Sequence, residues 1–588
     1  MPMSFWKEIR RRKIVQVAAT YAVVAWLLVQ VVSAIVEPLG LPDWFDTAVI
    51  VLLAIGFPIT LTMSWAFNLT ATGFVRDEGG AAAGALGTRR LEYALIGLLV
   101  IAVGWVMYRV EFGGGGDSLV ERGALPNSIA VLLCDSFSTD PENDFFAWSL
   151  HEEILNQLVK LRDLNVIART SVLQYADVAM PITDIAEELK VESVMECSVA
   201  YGEGRIVIST QLIDGDTGVH IWSERYAREF EDVFGIQADI AMNVANALAV
   251  TFSSEEQQAI AEPPTSSPDA YALYLRVLAA SGGRFPLAGG GGSSREGLID
   301  RALELDPDFA LAYALKAELL DSYDEAGALA AVETALELDS KLGIAHAALA
   351  DVHRINWRVD EARQAFAHAL EFSPNDADVL SRYAMFEAIT GRRREAISAA
   401  QTALSLDPKN FGSYMTLAWV NLFAGQSQAA AAAAQEAIQI APAVFAGHTL
   451  LATIETSRGN TTEAREQLHL GLQLIPDNAL NLPRRMQLAY DCRLAGLTEE
   501  ALDLIGGLEL ADVLREGGVD VFSSMLFYHL AREDYDAALV AMNTALEERP
   551  PALLSPLGII HIGMNIWNDP RLEEPAFREV LAKLPFSD

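Results

Sequence analysis

His151, Glu152 and Glu153 stand in a row. An imidazole beside two carboxylates could ligate a metal or move a proton. A helical zinc site needs a second histidine one turn on, because residues four apart share a helix face. Leu155 occupies that place, so the three residues read as exposed charges on an amphipathic helix. The nine histidines are scattered, and His346 and His353 fit ordinary surface positions of a helical repeat. Gly289–Gly292 lacks the Lys-Ser/Thr ending of a phosphate loop and no strand precedes it, which leaves a flexible insertion. Three cysteines are too few for a disulfide scaffold. Cys134 and Cys197 both fall on predicted strands, where an oxidising exterior would permit a bridge; buried free thiols are the favoured reading. No acid/base pair or nucleophile arrangement stands out. The chain is therefore expected to be no enzyme, with no catalytic, cofactor-binding or metal residues.

The elements that would position any binding residues announce themselves by period. Pro374, Pro408, Pro442 and Pro476 are 34 residues apart, closing "LEFSP", "LSLDP", "IQIAP" and "LQLIP". Related phrases end at Pro307, Ser340 and Pro550. Small residues recur at fixed offsets where two helices must approach: Ala350, Ala362 and Ala369, then Ala384, Ala396 and Ala403, then Ala418, Ala430 and Ala437. Gly391, Gly425 and Gly459 fall between the paired helices, where only glycine takes a left-handed backbone cheaply. Each closing proline lacks an N–H and stops the second helix. A 34-residue period of helix pairs resembles the tetratricopeptide family, which implies a superhelical solenoid that binds rather than catalyses. About seven units are expected over 268–550, followed by capping helices over 551–588.

Composition divides the rest. Net charge is −37, yet mean hydropathy is positive at +0.22. Residues 1–92 carry 8 Lys/Arg and 7 Asp/Glu, and the remainder 34 and 72. An apolar front precedes a strongly acidic body, which phosphates and anionic headgroups should repel; nucleic-acid binding is not expected. Three apolar stretches, about 14–36, 47–67 and 93–110, predict transmembrane helices in a membrane module over 1–112, in contact with the lipid bilayer. Lys7, Arg10, Arg11, Arg12 and Lys13 precede the first, and Arg76, Arg89 and Arg90 the third. Positive-inside bias then predicts a multi-pass protein of the bacterial inner membrane. Its amino terminus would be cytoplasmic and everything after about residue 112 periplasmic.

A Gly-rich linker over 113–125 leads to a segment of different grammar. "SIAVLL" and "NVIAR" read as strands, Phe145–Leu161 and Ile182–Lys190 as helices, and "SVMECSVAYG", "RIVISTQLID" and "HIWSERYARE" as strands joined by turns. A last helix is expected over about Val233–Phe252. These stretches, over 126–260, resemble the TolB amino-terminal-like domain, a small α/β domain found ahead of tetratricopeptide arrays in bacterial membrane-linked proteins. The opening "FWKEIRRRKIVQVAATYAVVAWLLVQV" and the ending "NDPRLEEPAFREVLAKL" resemble the same group. The resemblance implies architecture more than activity, because related chains exchange the front module for a DNA-binding domain, a cyclase or a kinase.

The expected fold is thus multidomain: three transmembrane helices, a small α/β domain and an all-α superhelix. The expected role is a membrane-anchored interaction scaffold or sensor holding a protein or peptide in the solenoid groove. Alternatives are an accessory or regulatory subunit of a cyclase- or kinase-linked system, and small-molecule sensing by the α/β domain. Inward positions of each first helix would meet the partner, and one recurs as Asp351, Met385, Trp419 and Thr453. A tryptophan there would be a favoured interface anchor.

Overall fold

The computed structural model describes Tyr21, residues 67–70 and 73–76, and residues 124–581 apart from 138–140, 177, 203–204, 230–232, 251, 282–294, 321–323, 476–479, 517–520 and 549–568. The chain divides into two compact units, Met1–Phe112 and Gly113–Asp588.

In the first unit, β1 (Phe67–Thr70) and β2 (Gly73–Arg76) pair antiparallel, Phe67 opposite Arg76 and Thr70 opposite Gly73. Phe67, expected to end a membrane helix, begins a strand instead. No helix among the described residues is long and apolar enough to cross a membrane. The longest of them, Pro141–Val159, has 19 residues and carries Glu142, Asp144, Glu152 and Glu153, whereas a bilayer core asks for about 20 apolar positions. The expected architecture with three transmembrane helices is corrected accordingly, and with it the multi-pass inner-membrane and periplasmic placement and the lipid partner. The stretches 14–36, 47–66 and 93–110 lie outside the described residues apart from Tyr21, as do the glycines at 113–116.

The second unit opens with a mixed sheet in the order β5-β3-β6-β7-β8, with β4 joined to β6. In chain order the elements are β3 (Leu125–Val131), β4 (Asp135–Ser136), α1 (Pro141–Val159), β5 (Asn165–Val166), α2 (Arg169–Val172), α3 (Ile182–Leu189), β6 (Val191–Gly202), β7 (Arg205–Asp214), β8 (His220–Glu229), α4 (Val233–Ala247) and α5 (Ser254–Ala261). β3 runs parallel to β5 and β6, and β6-β7-β8 form an antiparallel meander with Val194 opposite Ile213 and Ile208 opposite Tyr226. Alternation gives the sheet its core face. Met195, Cys197 and Val199 of β6 and Ile206, Ile208 and Leu212 of β7 pack on Leu150, Ile154 and Leu158 of α1 and on Ile240 and Val244 of α4. Cys134 and Cys197 are joined in a disulfide, where free thiols were the favoured reading; Cys492 is a buried free thiol.

Helices follow in antiparallel pairs: α6 (Pro268–Ser281) with α7 (Arg295–Leu305), α8 (Ala310–Leu320) with α9 (Glu325–Leu338), α10 (Gly343–Ile355) with α11 (Val359–Phe372), α12 (Ala377–Ile389) with α13 (Arg393–Leu406), α14 (Phe411–Phe423) with α15 (Ser427–Ile440), α16 (Phe445–Ser457) with α17 (Thr461–Leu474), and α18 (Leu482–Leu494) with α19 (Thr498–Ile505). The alanine columns are the close approaches they were expected to be: Ala350, Ala362, Ala369, Ala384, Ala396, Ala418, Ala430 and Ala437 are wholly buried and Ala403 nearly so. Gly391, Gly425 and Gly459 turn the chain at φ +86°, +77° and +77°. The pair before them makes the same turn with Trp357 at φ +62°. Pro476 and Pro550 lie outside the described residues. Beyond α19 come α20 (Leu510–Glu516), α21 (Val521–Ala531), α22 (Tyr535–Glu548) and, after a short 3-10 turn at Pro570–Glu573, α23 (Pro575–Leu581). Leu572, Phe577 and Val580 join the core, and the Tyr490 hydroxyl donates to Asp569 at 2.7 Å.

Candidate functional site

First helices of neighbouring pairs pack on one another more extensively than second helices do, so α8, α10, α12, α14 and α16 line the inner side of the array. The eleventh residue after each closing phrase reads, in order, Glu318, Asp351, Met385, Trp419 and Thr453. The sequence singled out the last four as one stripe. Their environments diverge along the array. Asp351 is part-exposed in a charged cluster, Met385 is partly buried against the core, Trp419 is 9% exposed, and Thr453 is 2% exposed. Trp419 stacks on Phe423 with ring centroids 5.6 Å apart, and the Thr453 hydroxyl donates to the Thr449 carbonyl at 3.0 Å. The accessible chemistry therefore gathers at the amino-terminal end.

There a cavity of about 320 Å³ opens between α8, α10 and α12, with Ala317, Ala328, Ala348 and Val352 among its apolar walls. Charge organises its rim. Arg382 of α12 donates to Asp351 of α10 at 2.7 Å and to Glu318 of α8 at 2.6 Å, and lies 3.4 Å from Asp378. Arg354 donates to the other Asp351 oxygen at 2.9 Å. One guanidinium thus ties three successive first helices together. Burial would raise the Asp351 pKa, but Arg382 and Arg354 outweigh it and hold the carboxylate below its ordinary range. Glu318 goes the other way: burial pushes it up, Arg382 offsets part of that, and Asp378 and Asp351 push it further. Sequence reading missed Glu318 and Arg382. Glu318 sits on the same ladder as Asp351, 33 residues earlier, and could have been counted; Arg382 lies one helical turn before Met385, off the column.

The chemistry-bearing residues weighed first lie elsewhere, and the exposed reading of His151, Glu152 and Glu153 is corrected. His151 is wholly buried, Glu153 is 2% exposed and Glu152 9%. α1 inserts between its own sheet and the first helices of the array, so Trp148 packs with Tyr271, Tyr274 and Phe309. Glu153 accepts from the Tyr271 hydroxyl and the Gln157 amide, and Glu152 pairs with Arg169 at 3.1 Å, whose guanidinium lies 5.4 Å from the Trp148 ring centre. His151 Nε2 stands 2.9 Å from the Val131 carbonyl oxygen. These contacts are the cement of a joint. His346 rests against His368 and Phe372, and among the described residues no group of three His, Cys, Asp or Glu could hold a metal.

The α/β part is also pinned along the edge of the array by its inter-repeat loops. The Thr170 and Ser171 hydroxyls donate to Asp407, Lys409 N–H donates to Ser171 Oγ at 2.8 Å, and Ala168 N–H donates to the Leu406 carbonyl at 2.8 Å. One loop earlier, the Asn375 amide donates to the carbonyls of Arg162 and Leu164 at 2.9 and 3.1 Å. Leu406 is 1% exposed, while Leu305 and Ile440, which precede equivalent loops, are 42% and 36% exposed. The α/β layer accounts for that difference.

No family model matches the chain. "Putative adenylate cyclase 3" of Rhizobium meliloti (strain 1021) is 39% identical over 189 residues, 32% of this chain and 31% of that protein. The chain thus spans under a third of the length of the curated relative it matches. Among solved structures, PilF of Pseudomonas aeruginosa overlaps 38% of this chain and 97% of its own at 21% identity and a TM-score of 0.29. YrrB, described as a TPR protein with an unusual peptide-binding site, overlaps 34% and 97% at 20% identity and a TM-score of 0.26. PilW, described as a type IV pilus biogenesis factor, overlaps 35% and 92% at 19% identity and a TM-score of 0.30. The repeat architecture rests on this chain's own helix spacing and buried alanines, not on these overlaps.

Proposed function

We propose that this chain is a non-catalytic interaction scaffold, and that the inner face of its helical array at α8, α10 and α12 receives an extended segment of a partner protein. The observation that carries the reading is the cavity of about 320 Å³ at Asp351 and Arg382, where apolar walls meet a rim of charged groups. A site of that make-up suits a side chain with an apolar stem and a polar end. Asp351 and Met385 are proposed as contact positions; Trp419 and Thr453 are proposed to act by holding the inner face in shape. The test is to pan a displayed random-peptide library on the full chain and on Asn356→Trp, which places an indole at the cavity rim. A common motif whose binding Asn356→Trp abolishes, with unchanged circular dichroism, is expected. No enriched motif, or equal binding by the variant, would reject the site.

A second reading is regulation of a nucleotide cyclase, supported by the likeness over 189 residues to a protein named a putative adenylate cyclase. Its test is whether the chain alters the turnover of a cyclase co-expressed with it.

A further inference from the structure

We propose that the cavity between α8, α10 and α12 is selective for a basic side chain, a guanidinium or ammonium carried by the partner segment. This deepens the proposed function and rests on it. Four carboxylates line the cavity, Glu318, Glu325, Asp351 and Asp378, against two guanidinium groups, Arg354 and Arg382. Both cations are already engaged. Arg382 is shared among Glu318, Asp351 and Asp378, and Arg354 is bound to Asp351. Arg358, from the neighbouring turn, is taken by Glu325 at 2.7 Å. Counting Arg358, four carboxylates still face three guanidinium groups, so an incoming carboxylate would add to an excess of negative charge.

The acids are in a different position. Asp378 meets Arg382 only at 3.4 Å and keeps 70% of its side chain exposed, and Glu325 keeps 48%. Glu318 is raised chiefly by burial, and against the pull of Arg382 the charges of Asp378 and Asp351 add to that rise. An added cation would relieve it. The walls suit the stem of such a residue, since Ala317, Ala328, Ala348 and Val352 offer apolar surface while the rim offers carboxylates. Long-range attraction points the same way, because the chain carries a net charge of −37.

That overall charge also sets the control, since any basic peptide will feel it. The probe is a set of fluorescein-labelled octapeptides alternating Gly with Arg, Lys, Ser or Glu, titrated into the full chain at about 0.15 M salt, where exposed charges beyond about 8 Å are screened. The Arg and Lys peptides are expected to bind at least tenfold tighter than the Ser and Glu peptides. Asp378→Asn and Glu318→Gln are expected to weaken the Arg peptide three- to tenfold, while Glu333→Gln, at an exposed position of α9 outside the cavity lining, leaves it unchanged. Equal loss in Asp378→Asn and Glu333→Gln would reduce the effect to net charge and overturn the proposal. So would tighter binding of the Ser or Glu peptide, although a cavity-dependent neutral ligand would leave the proposed function standing. A library motif lacking Arg and Lys would separate the two in the same way.

Discussion

Single residues set the geometry of the array, and Gly425 shows how. Its φ of +77° is the left-handed turn between α14 and α15, and a Cβ built there would meet nothing within 4 Å. Gly425→Ala therefore meets no steric clash and pays only the backbone term, about 1–2 kcal/mol for an L-residue in that region. A denaturant midpoint shifted by that amount with an unchanged slope is expected; no shift would mean the turn rearranges freely. Trp357 occupies the equivalent place one repeat earlier at φ +62°. A non-glycine residue there broke the glycine ladder in the sequence, which is why that turn could not be read from residue type. The alanine columns were legible for the opposite reason. A helix pair can close only over a small side chain, so the constraint leaves its mark at a fixed period.

At the scale of elements, the joint between α1 and α6 is the feature that sequence periodicity hid. The 3.6-residue pattern of α1 marks one face as polar, but that face is covered by helices over a hundred residues later in the chain. Burial raises the pKa of Glu153 above its ordinary 4.5, with the hydrogen bonds from Tyr271 and Gln157 and the charge of Lys160 offsetting only part of the shift. Glu152 behaves alike, raised by burial and by Glu153 and lowered in part by Arg169. The sign follows from linkage. A carboxyl whose folded pKa exceeds the unfolded one stabilises most below about pH 4.5, and that contribution is lost as pH rises through the folded value. Glu153→Gln removes the titration while keeping an acceptor for Tyr271. The variant is expected to gain melting temperature relative to the parent as pH goes from 5 to 8. A constant difference would mean that Glu153 does not titrate differently on folding. The sheet was easier to read than the joint: β7 buries Ile206, Ile208, Thr210 and Leu212 and leaves the residues between them part-exposed, and that alternation survives in the sequence. The disulfide between Cys134 and Cys197 needed the register of β4 against β6, where Asp135 faces Ser198, and no periodicity encodes that.

For the whole molecule, the α/β layer and the array form one unit with two unequal faces. The loop edge at Asn375 and Asp407 is spent on the α/β layer, and the inner face at α8, α10 and α12 holds the cavity proposed for a partner. The front of the chain teaches the complementary lesson. Long apolar runs predicted three membrane helices, while Phe67–Thr70 and Gly73–Arg76 pair as strands and no described helix can cross a bilayer. Hydropathy alone measures the apolar surface to be covered and does not say what covers it. The central claim, that a partner segment binds on the inner face, is tested most directly by hydrogen–deuterium exchange of the full chain with and without a saturating library-selected peptide. Slowed exchange in 310–320, 343–355 and 377–389, with the strands at 191–229 unaffected, is the predicted result. Protection confined to those strands, or to the loop edge at 407–410, would contradict it.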